Sequence, residues 1–182
     1  FVADEPLRDK EQRVFDAYHS RNKRGFFMGG KIPFGFTTEP YYLEGKKTAR
    51  YVIKEEEAGI LEFMYHVYQS PFASLGDVVT ALKEAGIRHP RKEDGKWTRT
   101  HIGRMLRNPA YVKADLAVYN FFLEHGVVIH NPPEEFIGTN GCYLYSEKGK
   151  THPNHRLEGH HLVLAPHSGL IPSDIWLRGR KK

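Results

Sequence analysis

Hydrophobic side chains recur at helical spacing over several separate stretches of the chain, which predicts a mainly helical fold. Residues 4–24 place their few apolar side chains on one helical face, and Gly25 follows as a stop. Residues 55–69 carry a broad apolar stripe behind an acidic start, which suits the positive end of a helix dipole. Ser74 is a favourable N-cap for a third helix, which Gly86 can end in the left-handed conformation.

Two further helices follow a long connection. The fourth is predicted to begin near Thr98 or Thr100 and to end at Asn108-Pro109, because proline disfavours helical geometry in the residue before it. A fifth helix is closed by Gly126. About a dozen residues separate Gly86 from the fourth helix, whereas a simple helix-turn-helix has a turn of three or four. The pattern therefore predicts a helical variant with an extended loop.

Short runs of β-branched and aromatic residues predict a smaller amount of strand. They are 41–43 and 50–53, which form a hairpin, and 127–129, 142–145 and 162–164. Ser173 is predicted to cap a final helix that runs through Trp176. The fold class is therefore α+β: a mainly helical domain with a core like that of a helix-turn-helix protein, small β-hairpins and a small sheet.

The fourth helix has one apolar face and one face of hydrogen-bond donors. The apolar side consists of Ile102, Met105 and Leu106. The opposite side consists of Thr100, Arg104 and Arg107, with Gly103 between the two. Arginine matches guanine and phosphate bidentately, threonine can meet a phosphate or a thymine methyl, and glycine lets a helix approach DNA closely. This chemistry predicts a major-groove helix; an ordinary surface helix with two arginines is the alternative.

Positive charge is concentrated around the start of this helix. The chain has a formal net charge of +5, but residues 51–86 carry a balance of −4 and residues 87–113 a balance of +6. Such a stretch indicates a polyanionic partner, with a solvated basic loop as the alternative. The cations that could neutralise phosphates are Arg88, Arg91, Lys92, Lys96 and Arg99. Trp97, in the same loop, is predicted to anchor the loop to the core rather than to stack on a base.

A second basic cluster joins the end of the first helix to a glycine-containing segment. It consists of Arg21, Lys23, Arg24 and Lys31, with Gly29 and Gly30 between them. An arm of this kind can follow a DNA groove. A solvated helix end, with cations near the negative pole of the helix dipole, is an equal alternative.

Composition limits the classes of protein to which the chain can belong. The single cysteine, Cys142, excludes an internal disulfide and a Cys-only zinc site, and it fits a reducing compartment. No stretch approaches the roughly 20 uninterrupted apolar residues that a membrane span requires. We therefore expect a cytoplasmic protein without a membrane segment or a cofactor.

Eleven histidines leave a metal-dependent nuclease of the HNH type as an enzymatic alternative. The histidines concerned include His152, His155, His160, His161 and His167, with Asn154 between the first two. Spacing within a predicted loop shows neither convergent ligands nor groups that orient them. We therefore expect no metal site and no catalytic centre in this chain.

Several motifs follow one another in a distinctive order. They are Gly29–Phe36, Glu55–Ala58, Ala85–Ile87, Trp97, Ile102, Met105–Pro109, Tyr111 and Pro166–Ile171. Their order and spacing resemble the recombinase domain of large serine recombinases. The resemblance extends over most of the chain, and no single short motif carries it.

The resemblance implies a double-stranded DNA partner, bound at a recombination attachment half-site. It implies that residues 1–28 hold the end of a linker helix and a basic arm in the minor groove, and that residues 29–182 form the recombinase domain. In that family a separate domain supplies the serine nucleophile, and the parent protein, encoded by bacteria, phages or other mobile elements, assembles as a tetramer on paired sites. We therefore expect this chain to bind DNA without recombining it. A stand-alone transcription regulator is the alternative.

Overall fold

The computed structural model describes residues 5–146 and 156–182. Its helices are α1 (Glu5–Lys23), α2 (Glu55–Tyr68), α3 (Leu75–Glu84), α4 (Arg99–Arg107), α5 (Leu116–Glu124) and α6 (Ser173–Arg180). Its strands are β1 (Phe36–Leu43), β2 (Lys46–Ile53), β3 (Val128–Ile129), β4 (Asn140–Tyr145) and β5 (His161–Ser168). The predicted α+β fold is confirmed. Within these two ranges, none of the helices has the length and apolar character needed to cross a membrane.

Helices α2, α3, α4 and α6 pack around one apolar core. Leu61 and Met64 of α2, Leu82 of α3, Ile102 of α4 and Trp176 of α6 are fully buried there. Each such side chain contributes about 1.5 to 3 kcal/mol through removal of apolar surface from water. Because α4 packs against both α3 and α6, its orientation is set by the core.

Local capping sets the ends of these helices. The Ser74 hydroxyl accepts a hydrogen bond from the Asp77 amide at 3.1 Å, and the Asp77 carboxylate accepts one from the Ser74 amide at 2.7 Å. Gly86 follows α3 with φ of 70°. The Thr98 hydroxyl caps α4 by accepting from the His101 amide at 3.2 Å. The predicted starts and ends of α3 and α4 are therefore confirmed.

The strands form two separate sheets. β1 and β2 pair as an antiparallel hairpin with Phe36 opposite Ile53. Glu44 and Gly45 connect them with φ of 53° and 75°, as a two-residue hairpin turn requires. The predicted hairpin is confirmed, and its strands are longer than their apolar runs because the pairing continues through polar residues. In the second sheet β5 is central, parallel to β3 and antiparallel to β4.

The end of α1 packs on the second sheet. Gly25, buried and at φ of 85°, follows α1 as predicted, and a Cβ there would lie 3.1 Å from the Leu164 carbonyl oxygen of β5. Only glycine combines this conformation with so close an approach. The next residue, Phe26, is 1% exposed, so the chain enters the core directly after the helix.

The predicted cap of α6 is wrong. Pro172 occupies the N-cap position, and the helix continues beyond Trp176 to Arg180. The Ser173 hydroxyl instead donates to the carboxylate of Asp115, which also caps α5 by accepting from the Val118 amide at 3.2 Å. Ser173 therefore links the starts of α5 and α6. The charged carboxylate of Asp115 is a strong hydrogen-bond acceptor, so the Ser173 hydroxyl bonds to it and does not cap α6.

Candidate nucleic-acid interface

Helix α4 presents its apolar face to the core and a polar face to solvent, as predicted. Ile102, Met105 and Leu106 are 0%, 6% and 2% exposed and pack against α3 and α6. The exposed side chains of α4 are Arg99, Thr100 and Arg104, and Arg107 in the last turn is half-buried. The helix therefore offers donors to a partner from a rigidly held backbone.

Gly103 has a different role from the one predicted for it. It is buried, and a Cβ at this position would lie 3.1 Å from the Cδ1 atom of Leu75. The missing side chain therefore lets α4 approach α3, not DNA. Gly103 lies at the boundary between the apolar face and the polar face of α4, and at this boundary α4 faces α3.

The loop between α3 and α4 is anchored by Trp97, as predicted. The indole stacks on the ring of His89 with centroids 4.3 Å apart, and its Nε1 donates to the Ile87 carbonyl at 2.9 Å. The His89 amide donates to the Gly95 carbonyl at 3.0 Å, which closes the loop. Lys92 is thereby held at the surface, and the exposed Arg88 and Lys96 lie in the same loop.

Arg91, which was predicted to neutralise a phosphate, bonds within the fold. Its guanidinium bonds to both carboxylate oxygens of the buried Glu57, at 2.7 and 3.0 Å. It also donates to the carbonyls of Ile32, Pro33 and Phe36. A guanidinium with these acceptors joins the loop to α2 and to the segment before β1, and we do not include it among the proposed DNA contacts.

Three cations from three parts of the chain act on the charge of His101 in α4. The pKa of His101 is lowered to about 4, first by burial and then by the charges of Lys92, His89, Lys31 and Arg104. The rings of His89 and His101 bring their Nε2 atoms to 3.3 Å. Because such interactions fall off with distance, Lys31, Lys92 and Arg104 all lie near His101. We call these three residues around His101 the His101 surface.

Comparison with protein families identifies the family to which the chain belongs. A family model described as Recombinase matches residues 55–182. The chain belongs to the recombinase family. The matched region runs from α2 to α6 and so contains the loop and α4. It confirms the resemblance and indicates a role in recombination. No curated protein matches the chain.

The second basic cluster of the recombinase chain is divided by the fold. Arg24 forms an ion pair with Glu44 of the hairpin turn at 2.8 Å, and both Arg21 and Arg24 lie over the Phe26 ring. Lys23 lies near His130, the residue after β3, whose pKa is lowered by burial, by His161 and by Lys23. Of the predicted cluster, Lys31 is the member that reaches the His101 surface.

The histidines of the recombinase chain do not form a recognisable metal centre in the described ranges. No group of three or more His, Cys, Asp or Glu side chains there is placed to hold a metal ion. His161 Nδ1 lies 2.6 Å from His130 Nε2, and the buried His167 bonds through Nε2 to the Ala110 carbonyl. His152, Asn154 and His155, on which the nuclease alternative depends, lie outside the described residues.

The buried carboxylate of Glu57 was not predicted as part of the interface. Burial raises its pKa, but hydrogen bonds from Arg91 and the Gly35 amide and the charges of Arg91 and Lys54 outweigh burial, so the pKa is lowered. The sequence did contain a signal, because Glu57 lies four and seven residues before Leu61 and Met64 on the buried face of α2. Glu57 orients the loop through Arg91.

Proposed function

We propose that this recombinase chain binds double-stranded DNA, with the exposed face of α4 in the major groove. The residues proposed to contact DNA are Lys31, Lys92, Lys96, Arg99, Thr100, Arg104 and Arg107. The observation that carries the proposal is the exposed donor face of α4, formed by Arg99, Thr100 and Arg104, with the exposed Lys92 and Lys96 in the loop before it. Like charges gathered in one region are favoured when a polyanion neutralises them.

The rigidity of the surface supports the same proposal. Helix α4 is held by the core, and the loop before it is held by Trp97 and by the Glu57–Arg91 ion pair. Cations on such a support lose little conformational freedom on binding, so more of their interaction energy is available for affinity. A solvated basic loop does not require this support.

Selection from a pool of random duplexes, followed by fluorescence anisotropy over a series of salt concentrations, tests the proposal. We expect one enriched sequence motif. We also expect the variant Lys92→Gln with Arg104→Gln to lower the slope of log K against log[salt] by about two units. The matched control, Lys46→Gln with Lys47→Gln, removes the same charge from the exposed hairpin turn and should leave the slope unchanged. No enrichment and no salt dependence would contradict DNA binding.

The finer role follows from the resemblance and is part of the proposal. We propose that the bound sequence is an attachment half-site of a mobile element of bacterial or phage origin. We further propose that Arg21, Lys23 and Arg24 follow the minor groove from the N-terminal side of the domain, and that the parent recombinase acts as a tetramer on paired sites. The alternative is a stand-alone transcription regulator. The gene of such a regulator would encode this domain without a serine-recombinase catalytic domain.

A further inference from the structure

Two arginines end helices that pack against each other. Arg107 is the last residue of α4, and Arg180 is the last residue of α6. The indole N–H of Trp176 donates to the carbonyl of Asn108 at 3.1 Å and so fixes α6 against the end of α4. Arg180 lies four residues after Trp176, on the same face of α6. That spacing directs Arg180 toward the C-terminal end of α4.

The positive charge at this place has no protein acceptor among residues 5–146 and 156–182. Neither the Arg107 nor the Arg180 side chain forms an ion pair or a hydrogen bond with any residue in these ranges, and the buried Nε of Arg180 lacks a partner. Tyr65, which also faces Arg180, gives its hydroxyl hydrogen bond to the Leu106 carbonyl at 2.8 Å. Burial and then the charge of Arg107 lower the pKa of Arg180 to about 10.

Two neighbouring cations of this helix end, Arg178 and Lys182, are satisfied internally. Arg178 donates to Gln69 Oε1 at 2.8 Å, and Lys182 donates to the carbonyls of Tyr68, Ser70 and Ala73. A half-buried guanidinium next to a like charge, with no acceptor, costs free energy in the absence of a ligand. Arg180 is therefore set apart from its neighbours in a way that points to an anion.

We propose that Arg107 and Arg180 together bind one phosphate group, contributed by the DNA backbone beside the α4 face. Two guanidinium groups present planar donors that match phosphate oxygens, and the anion removes the repulsion between them. This inference rests on the proposed function for its ligand, since free inorganic phosphate has the same chemistry. It extends the interface from α4 to the end of α6.

Anisotropy with a labelled duplex of random sequence, over a series of salt concentrations, tests the shared phosphate. Arg107→Gln combined with Arg180→Gln should lower the slope of log K against log[salt] by about 0.9, because the pair neutralises one phosphate. Arg180→Gln alone should weaken binding and lower the slope by less, because Arg107 remains on the same phosphate. Arg178→Gln is the matched control and should bind as the unaltered chain does. Unchanged binding by Arg180→Gln, or a loss of about 1.8 in slope for the double variant, would overturn the proposal.

NMR of the unaltered protein separates this inference from DNA binding and does not depend on a variant that folds. The Nε–H signal of Arg180 is followed in two titrations, one with the duplex and one with inorganic phosphate. A shift with phosphate but no duplex binding supports the anion site and contradicts the proposed function. Duplex binding without a shift contradicts the anion site alone. Shifts in both titrations support both, and no shift in either overturns this inference.

Discussion

Arg104 is the residue of α4 for which base recognition is most directly testable. It is exposed and belongs to the His101 surface. We expect Arg104→Ala to weaken binding to the selected duplex by about 1 to 3 kcal/mol and to relax the preference at one base pair, because arginine pairs bidentately with guanine. Anisotropy with the selected duplex and its single-base variants measures both effects.

The control for this substitution is Arg178→Ala, since Arg178 is exposed but donates to Gln69. It should change affinity little for any duplex. If Arg104→Ala instead reduced affinity equally for all sequences, Arg104 would be a phosphate contact and base recognition would have to come from other residues of α4.

Single residues also show where sequence patterns are informative. The inward position of Glu57 could be predicted from its spacing with Leu61 on α2. Its partner could not, because Arg91 follows 34 residues later and the contact depends on how the loop packs. Gly103 was assigned to the wrong neighbour for a similar reason: a helical wheel shows the direction of a side chain but not what lies there.

At the scale of elements, the Glu57–Arg91 ion pair joins α2, the loop and the segment before β1. Glu57 is 1% exposed, and removing one partner of such a pair leaves a poorly compensated charge. We expect Glu57→Gln to lower the free energy of unfolding by about 3 kcal/mol near neutral pH. Since the folded pKa of Glu57 lies below its ordinary value of 4.5, this contribution is complete above that value and is lost as the pH falls through the folded pKa.

Urea unfolding over a range of pH measures this difference. The curves of the unaltered chain and of Glu57→Gln should converge in acid. Glu56→Gln, at an exposed position of the same helical turn, is the control and should change stability by about 0.5 kcal/mol or less. A constant difference at all pH values would show that the charge of Glu57 is not what stabilises the loop.

Helix ends were predictable because they depend on local chemistry. Ser74, Gly86 and Thr98 act on backbone groups within a few residues, so their effect is visible in the sequence. The sheet around β5 was not predictable in the same way. β3 pairs with a strand that begins more than thirty residues later, and a register of that kind depends on tertiary packing.

At the scale of the whole molecule, Gly169 joins the second sheet to the connection between α4 and α5. A Cβ at this position would overlap the Val112 carbonyl group and the Lys113 amide, both backbone groups that cannot move aside. We expect Gly169→Ala to destabilise the protein by about 3 kcal/mol. Gly59→Ala, in α2 with open space around it, should stabilise by about 0.5 to 1 kcal/mol. Thermal unfolding of the two variants measures this difference in stability. Equal changes in the unfolding temperature would contradict the prediction.

The proposed DNA contact at the His101 surface should couple binding to the protonation of His101. In the free protein, burial and then the charges of Lys92, His89, Lys31 and Arg104 together lower the pKa of His101 to about 4. Phosphates bound at this surface would oppose the effect of these cations, so the pKa of His101 should rise in the complex. If the pKa of His101 is higher in the complex than in the free protein, the affinity for DNA increases as the pH falls from the pKa of the complex to the pKa of the free protein.

NMR titration of His101 with and without the selected duplex measures the two pKa values directly, and anisotropy as a function of pH measures the linked affinity. His101→Gln should remove the part of the pH dependence that arises in this interval. His66→Gln, at an exposed position of α2, should leave it in place. Burial is the largest cause of the low pKa of His101. We therefore expect DNA binding to raise this pKa only part of the way to the ordinary histidine value of 6.5. An unchanged pKa in a fully formed complex would show that DNA lies elsewhere, even if the affinity itself were high.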